Sequence, residues 1–315
     1  TRLTVGARHA QRFSAAGCER VADLTCGIGG DSMAMAALGL RVLAADLDEL
    51  TAAIATVNLR HFPDAEVRHV DGLAIDLTAD GVDGVFADPA RRTASGRRRH
   101  DPSGYTPPLD DVLAVRHEIP ALGVKVGPAI AHTDLPADAE AQWVSVDGDV
   151  VEAGLWFGPL APDGPGRTAL VLRGNGAASL RMPADGLPDV EVGPPGAYLY
   201  EPDGAVIRAG LVAMVSDQVH GRLLDATIAY VTSDHLAPTD VAHAYRVLDV
   251  MPFGLKRLRT ALRERGVGRL TIKKRGTAVV PEQLRKQLDL RGDAEATIVL
   301  TRVAGNQQVL VVEPV

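Results

Sequence analysis

The sequence predicts an α/β protein in two parts, each a sheet covered by helices. Three observations lead there. From residue 20 onward, short apolar runs alternate with helix-forming stretches at the spacing of a parallel sheet with right-handed crossovers. The first run ends in Thr25-Cys26-Gly27-Ile28-Gly29-Gly30-Asp31, a glycine-rich turn leading into the good helix formers of residues 32–38. A second α/β pattern, of the opposite charge, fills residues 241–315.

The elements follow in order. Residues 1–20 carry Arg2, Arg8, His9, Arg12 and Arg20 among apolar groups and read as a helix and a connector. A buried strand over 21–25 precedes a helix over about 30–39, which Gly39 stops. Residues 41–48 form a second strand ending in Asp46 and Asp48. A helix over 49–61 then carries Leu50, Ile54, Val57 and Leu59 near one face. A third strand, 66–71, ends in Asp71-Gly72, and a fourth, 84–87, runs into Asp88-Pro89. Residues 90–108 are polar, rich in Arg, Gly and Pro, and long for a connection, the mark of a functional or disordered loop. Asp110 resembles the cap of a helix reaching about 119, and 123–127 is a fifth strand. Asp147-Gly148 joins two strand-like runs as a hairpin, and 168–172 closes the sheet. Residues 174–196 form the best linker candidate, and 205–219 read as one apolar helix. The C-terminal part alternates a strand at 245–250, a basic helix at 254–265, a strand at 268–275 and a short helix opened by Pro281. It ends in strands paired around Asn306.

At 315 residues the chain is long enough for two or three domains. Its apolar content of 46% supports substantial cores, and with aromatics at 4% those cores are expected to be Ala, Val and Leu. A net charge of −7 excludes a uniformly basic nucleic-acid binder but leaves room for a local basic face. One exists: Arg246 to Arg302 hold 14 Lys and Arg against 6 Asp and Glu, a net of +8, which leaves −15 for the remainder. Cys18 and Cys26 offer no disulfide framework, which fits a reducing cytoplasm. No apolar run approaches the ~18 to 20 residues of a membrane span, and no signal peptide is visible. The histidines show no metal-ligand spacing, so no metal is expected.

The turn at 25–31 is built for a ligand that touches bare backbone. A dinucleotide fold wants Gly-x-Gly-x-x-Gly and a phosphate at the helix N-terminus. Here the third glycine is misplaced and Asp31 stands where a phosphate would be repelled. Acids on both sides of the turn, Asp23 and Asp31, instead suit a cation-bearing, phosphate-free adenosine ligand, and S-adenosylmethionine is one. Asp46 is placed to accept from the ribose hydroxyls, Leu47 to cover an adenine face, and Asp71, before Gly72, to accept from the adenine amino group. Each has a plainer reading. Asp71 before Gly72 is ordinary turn chemistry, Asp31 suits a helix dipole, and Cys26 is more often a packing residue than a nucleophile.

Asp23-x-x-Cys26-Gly27-x-Gly29-Gly30, the acid Asp46 and Asp88-Pro89 together resemble the class I S-adenosylmethionine-dependent methyltransferases, over roughly residues 20–173. Within that class the first motif is similar to RNA-modifying branches such as the cap trimethylguanosine synthases. Thr25 stands where the commonest version has its first glycine. The fourth motif reads Asp88-Pro89-Ala90-Arg91, where amino-group methyltransferases carry Asp-Pro-Pro and then an aromatic that stacks the target base. Val250 to Lys256 and Lys273-Lys274-Arg275-Gly276 resemble the THUMP-like domain that follows a methyltransferase domain in some bacterial proteins.

The resemblance implies a Rossmann-like methyltransferase sheet in residues 1–173, a linker and connecting helix in 174–240, and a smaller α/β THUMP-like domain in 241–315. It implies S-adenosylmethionine held by Asp23, Thr25, Cys26, Gly27, Gly29, Gly30, Asp31, Asp46, Leu47, Asp71 and Gly72. Asp88 and Pro89 are the expected catalytic pair, the carboxylate accepting from a target amine. Named THUMP domains belong to tRNA-modifying enzymes, so the implied substrate is RNA, tRNA or rRNA. Arg91, Arg92, Tyr105, Lys256, Arg257, Lys273, Lys274 and Arg275 are the expected contacts, Tyr105 as a stacking residue. Two alternatives remain: an inactive RNA-binding or assembly protein with a retained cofactor pocket, and a small-molecule methyltransferase.

Overall fold

The computed structural model describes residues 1–90 and 104–315. The chain divides into two compact units, Thr1–Ala169 and Leu170–Val315.

In the first unit α1 (Leu3–Ala15) precedes β1 (Arg20–Asp23), and α2 (Gly30–Ala37) follows the glycine turn. Then come β2 (Arg41–Asp46), α3 (Glu49–Leu59), β3 (Ala65–His69) and β4 (Gly84–Ala87). α4 (Leu109–Ala114), β5 (Leu122–Val126), β6 (Glu140–Val146), β7 (Asp149–Trp156) and β8 (Gly166–Arg173) complete it, the chain leaving the unit within β8. Within this unit the sheet runs in the order β3-β2-β1-β4-β5-β7-β6-β8. The first five strands are parallel, and the β6–β7 hairpin pairs antiparallel with β5. The hairpin turns at Asp147 and Gly148 with φ of 51° and 90°, as an Asp-Gly pair permits. Strand order reverses beside β1, so the C-terminal ends of β1, β2 and β4 open onto one crevice, the usual ligand position in such sheets.

Although aromatics are scarce, they fill the centre of this core: Phe13, Phe86 and Trp156 are buried, with Phe86 and Trp156 stacked at 6.4 Å between centroids. A Cβ on Gly123 would lie 2.5 Å from the Trp156 ring, so the glycine in β5 makes room for the indole. Of the four apolar residues expected near one face of α3, Leu59 alone is buried. Ala52, Ala55 and Leu59 are buried, while Leu50 and Val57 are 70% and 55% exposed. A Cβ on Gly29 would lie 3.6 Å from the Ala55 Cβ and 3.5 Å from Leu59, so this face of α3 lies against the glycine turn.

In the second unit β9 (Gly176–Arg181) and β10 (Tyr198–Pro202) lead to α5 (Gly204–Arg208), α6 (Val212–Gln218), β11 (Arg222–Asp225) and β12 (Ile228–Ser233). β13 (Ala242–Pro252), α7 (Leu255–Glu264), β14 (Val267–Lys274), α8 (Pro281–Leu288), β15 (Ala294–Val303) and β16 (Asn306–Pro314) follow. The sheet order is β11-β12-β10-β13-β16-β15-β14. Residues 174–240 are therefore not a linker and a connecting helix: β10, β11 and β12 belong to the same sheet as the C-terminal strands. The expected helix over 205–219 is two, broken at Gly210, which takes φ 71°. Alternation along β15 and β16 builds two cores. Ile298, Leu300, Val309 and Val311 meet Leu258, Leu262, Leu284 and Leu288 of the helices. Val299, Leu310 and Val312 face Leu199, Leu224 and Tyr230. Among the described residues no helix is long and apolar enough to cross a membrane.

Candidate active site at the strand ends

The glycine turn carries a left-handed backbone at two places, Gly27 with φ 56° and Gly29 with φ 85°, where a side chain would strain it. Gly29 caps α2, its N–H donating to the Cys26 carbonyl at 2.8 Å. The Cys26 N–H donates to the Ala45 carbonyl, pinning the turn to β2. Asp46 closes the arrangement: its Oδ2 accepts from the Gly27 N–H and its Oδ1 from the Asp48 N–H, both at 2.9 Å. These bonds orient the carboxylate and leave lone pairs for further donors. The helix cap falls to Asp48, which accepts from the Thr51 N–H.

β3 ends beside the turn. A Cβ on Gly72 would lie 2.2 Å from the Leu24 carbonyl oxygen, so only glycine lets the two loops approach. Asp71 accepts from the Leu73 N–H at 3.0 Å and caps a short 3-10 turn, with its second oxygen outside that bond. Leu47 is 68% exposed and its carbonyl accepts from His69 at 3.1 Å. Cys26 is buried and its thiol is pushed up by burial and by Asp23 and Asp46, which makes it a packing group.

At the end of β4 the Asp88 N–H donates to Thr25 Oγ1 at 2.7 Å. Thr25, in the place of a glycine, thus ties the first motif to the fourth. Ala90 pairs through its backbone with Thr106. Asp88 Oδ2 accepts from Lys125 Nζ of β5 at 2.5 Å, and the same ammonium reaches Thr1 Oγ1 at 3.2 Å. Behind the pair lies a buried polar chain. His9 of α1 joins Asp31 of α2 at 2.8 Å through Nδ1 and Glu152 of β7 at 2.7 Å through Nε2. Burial opposes the His9 charge, but Glu152 and Asp31 prevail and raise its pKa to about 9. Asp31 has both oxygens engaged, by His9 and by Thr1, and is held below the usual carboxylate range. The expectation of Asp31 against a cofactor charge is corrected: its carboxylate is committed to α1. Asp23 is wholly buried. Ser32 Oγ donates to its Oδ2 at 2.6 Å while Oδ1 has no partner, and burial together with Asp31 pushes its pKa up to about 7.

Lys125, His9 and Glu152 are the site residues that sequence reasoning missed. The signal was a lone charge inside an apolar strand, Lys125 in residues 122–126 and Glu152 in 150–156. Tyr105, expected to stack a base, is buried and accepts from the Gly127 N–H at 3.1 Å, so it braces β5 instead. Arg91 and Arg92 lie outside the described residues.

The basic residues of the second unit divide. Lys256 and Arg257 on α7 are exposed. Lys273 pairs with Glu201 at 2.7 Å and sits over the Tyr245 ring, Arg275 sits over Tyr230, and Lys274 donates to the Val279 carbonyl. Lys273 and Arg275 are half-buried and engaged within the fold, while Lys274 is exposed. Among the described residues no cluster of three His, Cys, Asp or Glu is placed to hold a metal.

The residues fit S-adenosylmethionine. A Cβ on Gly27 or Gly30 would meet nothing within 4 Å, so the space over the turn is open for a ligand. Asp46 stands beside it as an acceptor, its carboxylate bound to the Gly27 N–H, and Asp23 lies buried at the end of β1 with one oxygen unpartnered.

Residues 242–314 match the family model described as THUMP domain-like. Two Mycobacterium tuberculosis proteins, from strains CDC 1551 / Oshkosh and ATCC 25618 / H37Rv, are similar over almost the whole chain; both are named uncharacterized S-adenosylmethionine-dependent methyltransferases. Each is 35% identical over 288 residues, covering 90% of this chain and 77% of the relative. A crystal structure of a candidate methyltransferase from Porphyromonas gingivalis W83 shares the fold, with a TM-score of 0.79 at 20% identity over 99% of this chain and 82% of that one. The chain belongs to the S-adenosylmethionine-dependent methyltransferases and carries a THUMP-like domain at its C-terminal end.

Proposed function

We propose that this methyltransferase modifies RNA, tRNA or rRNA, with the acceptor atom held at Asp88. The observation that carries this reading is the tie between Thr25 and the Asp88 N–H, which fixes the fourth motif against the cofactor turn. The turn from Thr25 to Gly30 receives the cofactor over bare backbone, Asp46 takes its ribose hydroxyls, Asp71 the adenine amino group and Leu47 one adenine face. Asp23, with an unpartnered oxygen, faces the amino-acid end. Bound there, S-adenosylmethionine supplies an electrophilic methyl group.

The protein's own part is to align the acceptor with that methyl, to exclude water and to take up a proton, and alignment is the larger contribution. Pro89 stiffens the backbone beside Asp88. Lys256 and Arg257 give the second unit exposed charge for phosphates, within a region of net +8. Support for RNA is thus the THUMP-like match and this charge.

The test is transfer of labelled methyl from S-adenosylmethionine to total RNA from a strain lacking the gene. Label in ribonuclease-sensitive material, lost in Asp88→Asn, is expected. Label only in ribonuclease-resistant material overturns RNA as the substrate.

A further inference from the structure

Lys125 is a costly residue for its position. β5 is buried at all five positions, and an ammonium in a sheet interior is tolerated only when paired. An apolar side chain would satisfy the strand. Lys125 instead extends to Asp88, the expected catalytic acid, at 2.5 Å.

The groups around the ammonium come from every neighbouring element: Asp88 beyond β4, Asp31 on α2, Glu152 on β7, His9 on α1 and the Thr1 hydroxyl. Burial favours the neutral amine, but Asp88, Glu152 and Asp31 outweigh it and hold Lys125 above its ordinary range. It is therefore a fixed cation at neutral pH, not a base.

The charge decides what kind of nucleophile the site suits. A neutral amine gains positive charge as it takes a methyl. A carboxylate alone would favour that change, and an adjacent ammonium cancels the benefit. A hydroxyl oxygen is a poor nucleophile until its proton leaves, and the developing negative oxygen is stabilised by a nearby cation. Asp88 beside Lys125 supplies both needs, an acceptor for the proton and a positive charge for the oxygen. The fourth motif agrees, since in sequence Arg91 stands where amino-group methyltransferases carry the aromatic that stacks a base.

We infer that the acceptor atom is a hydroxyl oxygen, with Lys125 acting through Asp88 as the positioning residue. This rests on the RNA reading only for the substrate's identity. Every nucleotide within an RNA chain offers one hydroxyl, the ribose 2′-OH, so the product on that reading is a 2′-O-methyl nucleotide. In the transfer the substrate O–H bond breaks and its proton passes to the Asp88 carboxylate. The oxygen forms a bond to the methyl carbon as the bond from that carbon to sulfur breaks. S-adenosylhomocysteine and a methyl ether result, and Asp88 returns its proton to water.

The experiment incubates the full chain with methyl-labelled S-adenosylmethionine and a cell extract from a strain lacking the gene, then separates RNA, protein and small molecules. Labelled RNA is hydrolysed in alkali. A 2′-O-methyl group blocks attack of the sugar on the adjacent phosphate, so label in alkali-resistant dinucleotides is the expected result. Label in base-modified mononucleotides overturns the inference and leaves the RNA reading standing. Label only in the other fractions overturns the RNA reading. Mild alkali first strips methyl esters from those products, and heating the remainder with hydriodic acid then decides the inference, since methyl ethers release volatile methyl iodide under conditions that leave N-methyl groups in place. No label in any fraction overturns both.

Lys125→Met is expected to lower kcat about 100-fold, the scale of a lost proton-transfer arrangement. It should also move the rising limb of the pH profile upward, while Lys125→Arg restores most of the rate near neutral pH. Equal losses in Lys125→Met at every pH, with no rescue by Lys125→Arg, would reduce Lys125 to a structural ion pair and overturn its role.

Discussion

Replacing His9 by glutamine removes a positive charge lying between two buried carboxylates, Asp31 at 2.8 Å and Glu152 at 2.7 Å. The folded protein holds the His9 proton with a pKa of about 9, against 6.5 for the unfolded chain. Protonation in the fold therefore contributes about 3 kcal/mol to stability. Because the folded value is the higher one, this contribution is complete below pH 6.5 and disappears as pH rises through 9. Asp23 works in a different window. Its folded pKa of about 7 lies above its unfolded value of 3.8, so its effect is nearly spent by pH 7. Between pH 7 and 9 the wild type should thus lose about 2 kcal/mol through His9. The assay is urea unfolding followed by tryptophan fluorescence. Trp143 and Trp156 are the chain's two tryptophans and both lie in the first unit, with Trp156 5.4 Å from the His9 ring, so the signal reports that unit. His9→Gln should be less stable by roughly 3 kcal/mol at pH 7, with two buried carboxylates left uncompensated, and its stability should vary much less from pH 7 to 9. Equal slopes in the two proteins would refute the assignment of a charged His9.

Other outcomes follow from single contacts. Gly72→Ala places a Cβ 2.2 Å from the Leu24 carbonyl; it should cost about 1–3 kcal/mol in the same assay and weaken cofactor binding, since the two loops must part. Thr25→Val removes the acceptor of the Asp88 N–H; a stability loss of about 1 kcal/mol with a larger fall in kcat is expected from unfolding and turnover measured together. Lys256→Ala with Arg257→Ala should weaken RNA binding and flatten its salt dependence at unchanged melting temperature. Lys273→Ala should instead lower the melting temperature, because Glu201 loses its partner.

The features that the sequence made legible are local ones. Gly27 and Gly29 are dictated by their own backbone, Asp46 and Asp88 by lying one step beyond a strand, and the Asp147-Gly148 hairpin by its two turn residues. What stayed hidden depends on partners far along the chain. Lys125 meets Asp88 across 37 residues and His9 meets Glu152 across 143, and neither pairing leaves a periodic trace. Asp31 was misread because its place at a helix start gives no hint of a histidine on α1. The outer face of α3 was misread for the opposite reason. Its pattern is strong, but the residues that lie against the Gly29 turn are Ala55 and Leu59, while Leu50 and Val57 stay outside. Residues 174–240 were taken for a linker because Gly and Pro dominate 186–196, while β10 and β12 are short runs whose pairing with β13 is settled by the distant C-terminal sheet.

The site at the strand ends stands or falls with Asp46, whose carboxylate is the acceptor assigned to the cofactor ribose. Titration calorimetry of S-adenosylmethionine into wild type and Asp46→Ala tests it most directly. One-site binding by the wild type, weakened about 100-fold in the variant at an unchanged tryptophan spectrum, is the predicted result. Binding of equal strength in the two proteins, or none in the wild type, would contradict the account.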